Sequence, residues 1–340
     1  MRAARAGFSL IELLVVVAIM GVVSIFIGRV LSFNQRAYSS TDQLAQAQQD
    51  LRAINSLLER DLRHAGMLVP DDVAICGVDE VGAPDTLYVS DALAIDPQND
   101  FSGYNGADVT SGDAQTLGTH VLDLSSLIME PSPPSRPAYD TDNDGVNDSD
   151  FQVGGGVIIA DRQSPTSGVA CGRVTAINVG SSQITVDVHS TLSSAVELVA
   201  VPAQEYRVAG TQLLWNGNVV ANDIEDFQVT YIIDNDDDNQ VDAPQEIFGD
   251  DENVPHNLFD DPSPNYGGGT IALSASMSAA ALVREVRVSM VARTRLPDEE
   301  FTSGQPQGTE NRDVSGLPAD GFRRRVLTTK VMTRNIGIEI

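Results

Sequence analysis

The chain has 340 residues, with 21 Lys+Arg against 48 Asp+Glu and a formal net charge of −27. So acidic a balance disfavours nucleic acid or an anionic membrane surface as the main partner and fits a soluble surface that attracts cations. Beyond the first 66 residues, 340 − 66 = 274 remain, enough for one large core or two smaller ones.

The first element is the run GFSLIELLVVVAIMGVVSIFI, residues 7 to 27, preceded by Arg2 and Arg5. A membrane helix needs roughly 20 apolar residues, and Phe8 to Ile27 supplies them. Glu12 interrupts the run, and an ionisable group at that depth is read as functional unless a bland partner is found. A cleaved secretory signal has a shorter apolar core followed by an A-x-A site, neither of which occurs here. An ordinary anchor with a snorkelling or protonated glutamate explains the length but not Glu12. Charge asymmetry hardly orients the segment, since Arg2 and Arg5 on one side face Arg29 and Arg36 on the other.

After Arg29 the helical pattern continues as an amphipathic one. Leu44, Ala47, Leu51, Ile54, Leu58 and Leu62 recur at spacings of three and four and share one face. Gly66 and Pro70 make a stop. A continuous helix from Phe8 to Ala65 would be roughly 87 Å long at 1.5 Å per residue.

From Met67 onward β-branched and turn residues dominate. Asn216-Gly217 between apolar runs is a strong hairpin signal. Further strands are expected at 184–188, 227–233, 285–292 and 325–332, between Pro-, Gly- and Asp-rich loops. The expected fold is α+β: one long N-terminal helix, half membrane-spanning and half amphipathic, packed on an antiparallel β-sheet body. The division is a basic segment at 1–7, a membrane helix at 8–28, an amphipathic helix at 29–66 and a β-rich body at 67–340. The two cysteines, Cys76 and Cys171, permit one disulfide if the body lies outside the cytoplasm; two unpaired buried thiols are the alternative.

Two acidic loops invite a cation. In DTDNDGVNDSD, Asp140, Asp142 and Asp144 alternate, Gly145 takes the bend, and Asp148 and Asp150 follow. Alternating carboxylates let several oxygens converge on a hard ion, and calcium tolerates irregular geometry. Phe151 stands where an EF-hand would have its closing glutamate, so the loop is nearer the shorter calcium loops of extracellular repeat proteins. In DNDDDNQVD the looser set is Asp234, Asp236, Asp238 and Asp242. A solvated acidic turn is the competing account of both. The glycine runs at 154–156 and 267–269 lead into no nucleotide loop, the four histidines are dispersed, and no nucleophile elbow occurs, so nothing supports catalysis. Ten of the 21 basic residues fall between Arg284 and Arg334. Pairing with the acidic remainder is their plain explanation, and a DNA-contacting strip the sharper one.

The short basic leader ending in Gly7, then Phe8, then Glu12 and an unbroken apolar helix, closely resembles the class III signal of type IV pilins and type II secretion pseudopilins. The resemblance implies that a membrane-bound prepilin peptidase cuts between Gly7 and Phe8 and methylates the Phe8 amine. In a filament of packed helices that amine can lie against Glu12 of a neighbouring subunit. Glu12 then acts as a register pin, because an unpaired charge penalises a subunit inserted at the wrong height. Arg29 lies where many major pilins carry a kinking proline, a hint of a minor subunit.

Four further segments, RDLRHAG (60–66), YRVAGTQLLWNGNVVANDIEDFQVTY (206–231), VREVRVSMVART (283–294) and FRRRVLTTKVMTRN (322–335), look like the body of PilW minor pilins and the related J-type pseudopilins. The resemblance implies a minor pilin that helps to initiate or cap a type IV pilus, with a type II secretion pseudopilin, a calcium-dependent pilus-borne adhesin and a DNA-uptake pseudopilin as alternatives. Its implied partners are other minor and major pilins, the prepilin peptidase and an inner-membrane assembly platform. Its implied location is the bacterial inner membrane, body in the periplasm, before assembly, and the surface pilus afterwards.

Overall fold

The computed structural model describes residues 10 to 336 apart from internal stretches, the longer ones being 92–105, 129–143, 234–245, 252–264 and 271–282. One helix, α1 (Leu10–His64), comes first and runs without a break. Its apolar part is long enough to cross a membrane, and the side chains there are exposed. The expected stripe packs inward: Ala47, Leu51, Ile54, Leu58 and Leu62 are buried, while Leu44 is half-buried. Gly66 ends the helix at φ +76°, a left-handed conformation that glycine adopts without a Cβ clash.

The body follows as strands β1 (Ile75–Asp79), β2 (Thr86–Ser90), β3 (Ala107–Ser111), β4 (Gly118–Leu124), β5 (Gly156–Asp161), β6 (Val169–Asn178), β7 (Gln183–Ser190), β8 (Leu198–Ala209), β9 (Gln212–Trp215), β10 (Asn218–Asn222), β11 (Ile224–Ile233) and β12 (Glu246–Phe248). Short pieces β13 (Asp250–Asp251), β14 (Asn265–Tyr266) and β15 (Gly269–Thr270) lead to β16 (Val283–Arg293) and β17 (Arg324–Met332). The hairpin expected at Asn216-Gly217 joins β9 to β10, with both turn residues at positive φ, 48° and 75°. The strands expected at 184–188, 227–233, 285–292 and 325–332 are β7, β11, β16 and β17.

Strand β8 is shared by two structures. Its second half pairs with β2 and β9, placing it in a sheet that runs from β1 through β2 and β8 to β9 and β10. Its first half pairs with β3 on one edge and β5 on the other. The ring then closes through β3–β4, β4–β7, β7–β6 and β6–β5. The result is a six-stranded antiparallel barrel, which removes unpaired edges.

Each structure has its own core. Leu122, Val157, Ile159, Val174, Ile184 and Val186 fill the barrel, and Phe151 joins them. The other core holds the α1 stripe, the β1–β2–β8–β9–β10 sheet and a second sheet in the order β12–β11–β16–β17. The β-rich body thus consists of two packed sheets plus a barrel built largely from the chain between β2 and β8. Short apolar runs such as GVIIAD gave no periodicity by which to recognise barrel strands.

Candidate functional site

Three features carry the chemistry: the bare apolar half of α1, the seam where its other half meets the body, and the joint between body and barrel. Glu12 lies on the exposed part of α1, surrounded on the helix by exposed Leu10, Ile11, Leu13 and Val16. Gly7 and Phe8 lie outside the described residues. Among the described residues nothing covers this surface, which is long and apolar enough to cross a membrane.

The seam is pinned by polar contacts at successive heights. Gln43 Oε1 accepts a hydrogen bond from the Leu296 amide at 3.1 Å, Thr329 donates to Asn55, and the Tyr206 phenol donates to Asp61 Oδ2 at 2.5 Å. Arg60 holds the other oxygen of Asp61 at 2.7 Å and lies over the Trp215 ring at 5.9 Å. Burial, with the Asp61 charge adding to it, pushes the Tyr206 phenol far above its ordinary pKa, so it stays a donor. Past the helix end, the Gly66 amide donates to Ser90 Oγ at 3.1 Å. The RDLRHAG segment is thus the clasp that locks the helix end to β8 and β2.

The joint has a covalent pin. Cys76 on β1 and Cys171 on β6, 95 positions apart in sequence, are bonded, with a Cα–Cα distance of 6.2 Å. Beside it, fully buried Glu205 on β8 accepts from Arg173 on β6 at 2.7–3.0 Å and from Arg207 at 3.4 Å. The Tyr88 hydroxyl lies 2.6 Å from His189 Nδ1 and donates to Glu205 at 3.3 Å. A Cβ on Gly156 would sit 2.6 Å from the Tyr88 ring, so glycine there lets the ring reach the joint. Sequence reasoning named the two cysteines but missed Glu205, Arg173 and Tyr88, which lie far apart in the chain and carry no local signature.

The acidic loops are less visible. Asp140, Asp142, Asp234, Asp236, Asp238 and Asp242 lie outside the described residues. Asp144 is exposed, Asp148 half-buried and Asp150 buried, with the Asp150 amide donating to the Leu127 carbonyl at 2.9 Å. Among the described residues no group of three His, Cys, Asp or Glu side chains is gathered as for a metal ion.

Among the described residues, at least seven of the ten late basic residues have partners within the chain. Arg287 pairs with Glu310, Arg312 with Asp226, Arg323 with Asp298, Arg295 with Asp223 and Lys330 with Glu285. Arg324 grips both Glu225 and Asp320, and Arg293 lies 4.2 Å over the Phe322 ring. Six of these seven pair with acidic side chains, as their plain explanation expects.

The family model described as type IV pilus-assembly protein W matches residues 191–335, from just before β8 through β17. The prokaryotic N-terminal methylation motif matches residues 2–28. Over these two segments the chain resembles PilW-type, type IV pilin-like proteins. A type IV-like pilin from Thermus thermophilus aligns with 54% of this chain and 88% of its own, at 14% identity and a TM-score of 0.24. No curated protein matches. Both family matches fall outside β3–β7, while β8, which the barrel shares with the sheet, lies within the first. Family and fold point to a structural protein, and the methylation motif with its apolar helix fits a membrane-anchored pilin later carried in a surface pilus.

Proposed function

We propose that this protein is a minor pilin that helps to initiate or cap a type IV filament, working at its tip. One observation carries the reading: the barrel lies at the end of α1 opposite the membrane run. Along β8, Tyr206 meets Asp61, Ala203 pairs with Ser90 beside Gly66, and residues 198–202 continue past the helix end into the barrel. Subunits joined through their apolar helices stack body over body. A fixed barrel beyond the helix end occupies the space that the next body would need, which suits the topmost position.

In this reading the peptidase cuts between Gly7 and Phe8, and Glu12 sets the height at which the helix enters the bundle by pairing with a neighbouring Phe8 amine. The partners are other minor and major pilins and the assembly machinery, with the body on the periplasmic side before assembly. Deleting the gene and scoring surface pili, twitching and secreted enzymes separately tests the assignment. Loss of pili with normal secretion supports it, whereas a secretion defect with normal pili sinks it in favour of the pseudopilin alternative. Calcium in the 140–150 loop is a subsidiary proposal that rests on the alternation of Asp140, Asp142 and Asp144 alone. Equal thermal shifts in calcium and magnesium would remove it.

A further inference from the structure

The C-terminal sheet has an apolar face and a polar one. Phe227, Val229 and Tyr231 of β11 and Val286, Val288 and Met290 of β16 belong to the core shared with α1. The alternate residues Gln228, Thr230, Arg287 and Ser289 therefore point the other way. They are nonetheless buried or nearly so, because chain between β16 and β17 roofs them. Register places Thr230 opposite Arg287, and Ser289 opposite Thr328.

One side chain of the roof enters this face. The Glu310 carboxylate accepts from Arg287 Nη2 at 2.6 Å and Nε at 3.1 Å, from Ser289 Oγ at 2.6 Å and from Thr230 Oγ1 at 3.2 Å. A guanidinium fork and two hydroxyls, all on paired strands, make a carboxylate receptor of fixed geometry. Its occupant is held less comfortably than its walls. Glu310 has φ +51°, in the left-handed region that a side chain of this kind rarely adopts. An ordinary stabilising ion pair does not require such a backbone, and the outlier motivates a functional hypothesis.

We propose that Thr230, Arg287 and Ser289 form a carboxylate-binding site, that Glu310 is its built-in occupant, and that an incoming carboxylate ligand displaces Glu310. The receptor stays on the rigid sheet, while the displaced residue returns to an unstrained conformation that offsets part of the exchange. The chemistry is shared by small carboxylates and by acidic side chains of a neighbouring polypeptide, and two arms of one experiment separate them.

In the full-length chain in detergent, Glu310→Gly removes the carboxylate and accommodates the positive φ. Its Tm should rise saturably with acetate at constant ionic strength and not with chloride, and adding Arg287→Gln should abolish the rise. If Glu310→Gly does not fold, Glu310→Gln serves, since it keeps the side chain and removes the charge. In the wild-type chain, deuterium uptake around residues 306–314 should increase with N-acetylglutamate or with a glutamate-rich peptide, beyond a chloride control. A response to both identifies a small-carboxylate site, and a response to the peptide alone identifies a protein partner. Acetate and chloride acting alike on the variant, or wild-type uptake unchanged by both probes, overturns the proposal.

Discussion

Tyr206 on β8 and Asp61 on α1, 145 residues apart in sequence, share a buried hydrogen bond of 2.5 Å that fixes the height of the helix against the body. A bond to a charged acceptor contributes about 1.5–3 kcal/mol. Tyr206→Phe should therefore lower unfolding stability by about that much in a denaturant titration of the full-length chain. Asp61→Ala should cost at least as much, because it leaves Tyr206 and Arg60 without their shared acceptor. A change below about 0.5 kcal/mol in both variants, the usual scatter for surface substitutions, would mean that the clasp is incidental.

The disulfide gives a second expectation. A bridge between residues 95 apart contributes about 4–5 kcal/mol in the chain-entropy model. Changing Cys76 and Cys171 together to Ser should lower the denaturant midpoint accordingly and raise deuterium uptake where β6 meets β1. An unchanged midpoint would show that the Glu205–Arg173 pair and the shared strand β8 hold the barrel unaided.

Two carboxylates set opposite pH slopes. Hydrogen bonds from Arg324 hold Asp320 below the ordinary carboxylate range. Its contribution is therefore fully present above about pH 3.9 and is lost as pH falls through its depressed folded value. Burial raises Asp226 despite the pull of Arg312, so the cost of its charge is relieved as pH falls through that raised value. Asp320→Asn should lose up to about 1 kcal/mol at neutral pH, since the pair is partly exposed, with the gap to wild type closing in acid. Asp226→Asn should instead remove a component of stability that grows on acidification. Parallel acid limbs for wild type and both variants would contradict these assignments.

What could be read in advance followed periodicity and local turn chemistry. The α1 stripe, the Gly66 stop, the Asn216-Gly217 turn and strands β7, β11, β16 and β17 all announce themselves within a short window. The barrel did not, because its closure depends on β8 pairing with β3 and β5 from distant parts of the chain. Cys76 and Cys171 were visible as a pair, but the proximity that bonds them came only with the fold. The ring of donors round Glu310 was equally hidden, since Thr230, Arg287 and Ser289 converge through cross-strand register and not through sequence spacing.

The N-terminal assignments are open to direct test. Replacing Gly7 with a bulky residue should leave the leader attached, because the peptidase must approach the backbone closely at the cut. A mature protein beginning at Phe8 in that variant, read by mass spectrometry, would contradict the cleavage site. Glu12→Ala should be processed and inserted normally, since it makes the membrane run more apolar, yet enter filaments poorly. Normal incorporation would remove the register pin.

Position in the filament tests the central claim most directly. Immunogold labelling of an epitope on the barrel, for example at the exposed β6–β7 turn around Val179, would be imaged on sheared pili by electron microscopy. A tip subunit whose barrel fills the space above its helix predicts gold at one end of each filament and bare shafts. Gold distributed along the shafts would show that bodies stack over the barrel, and would contradict the account.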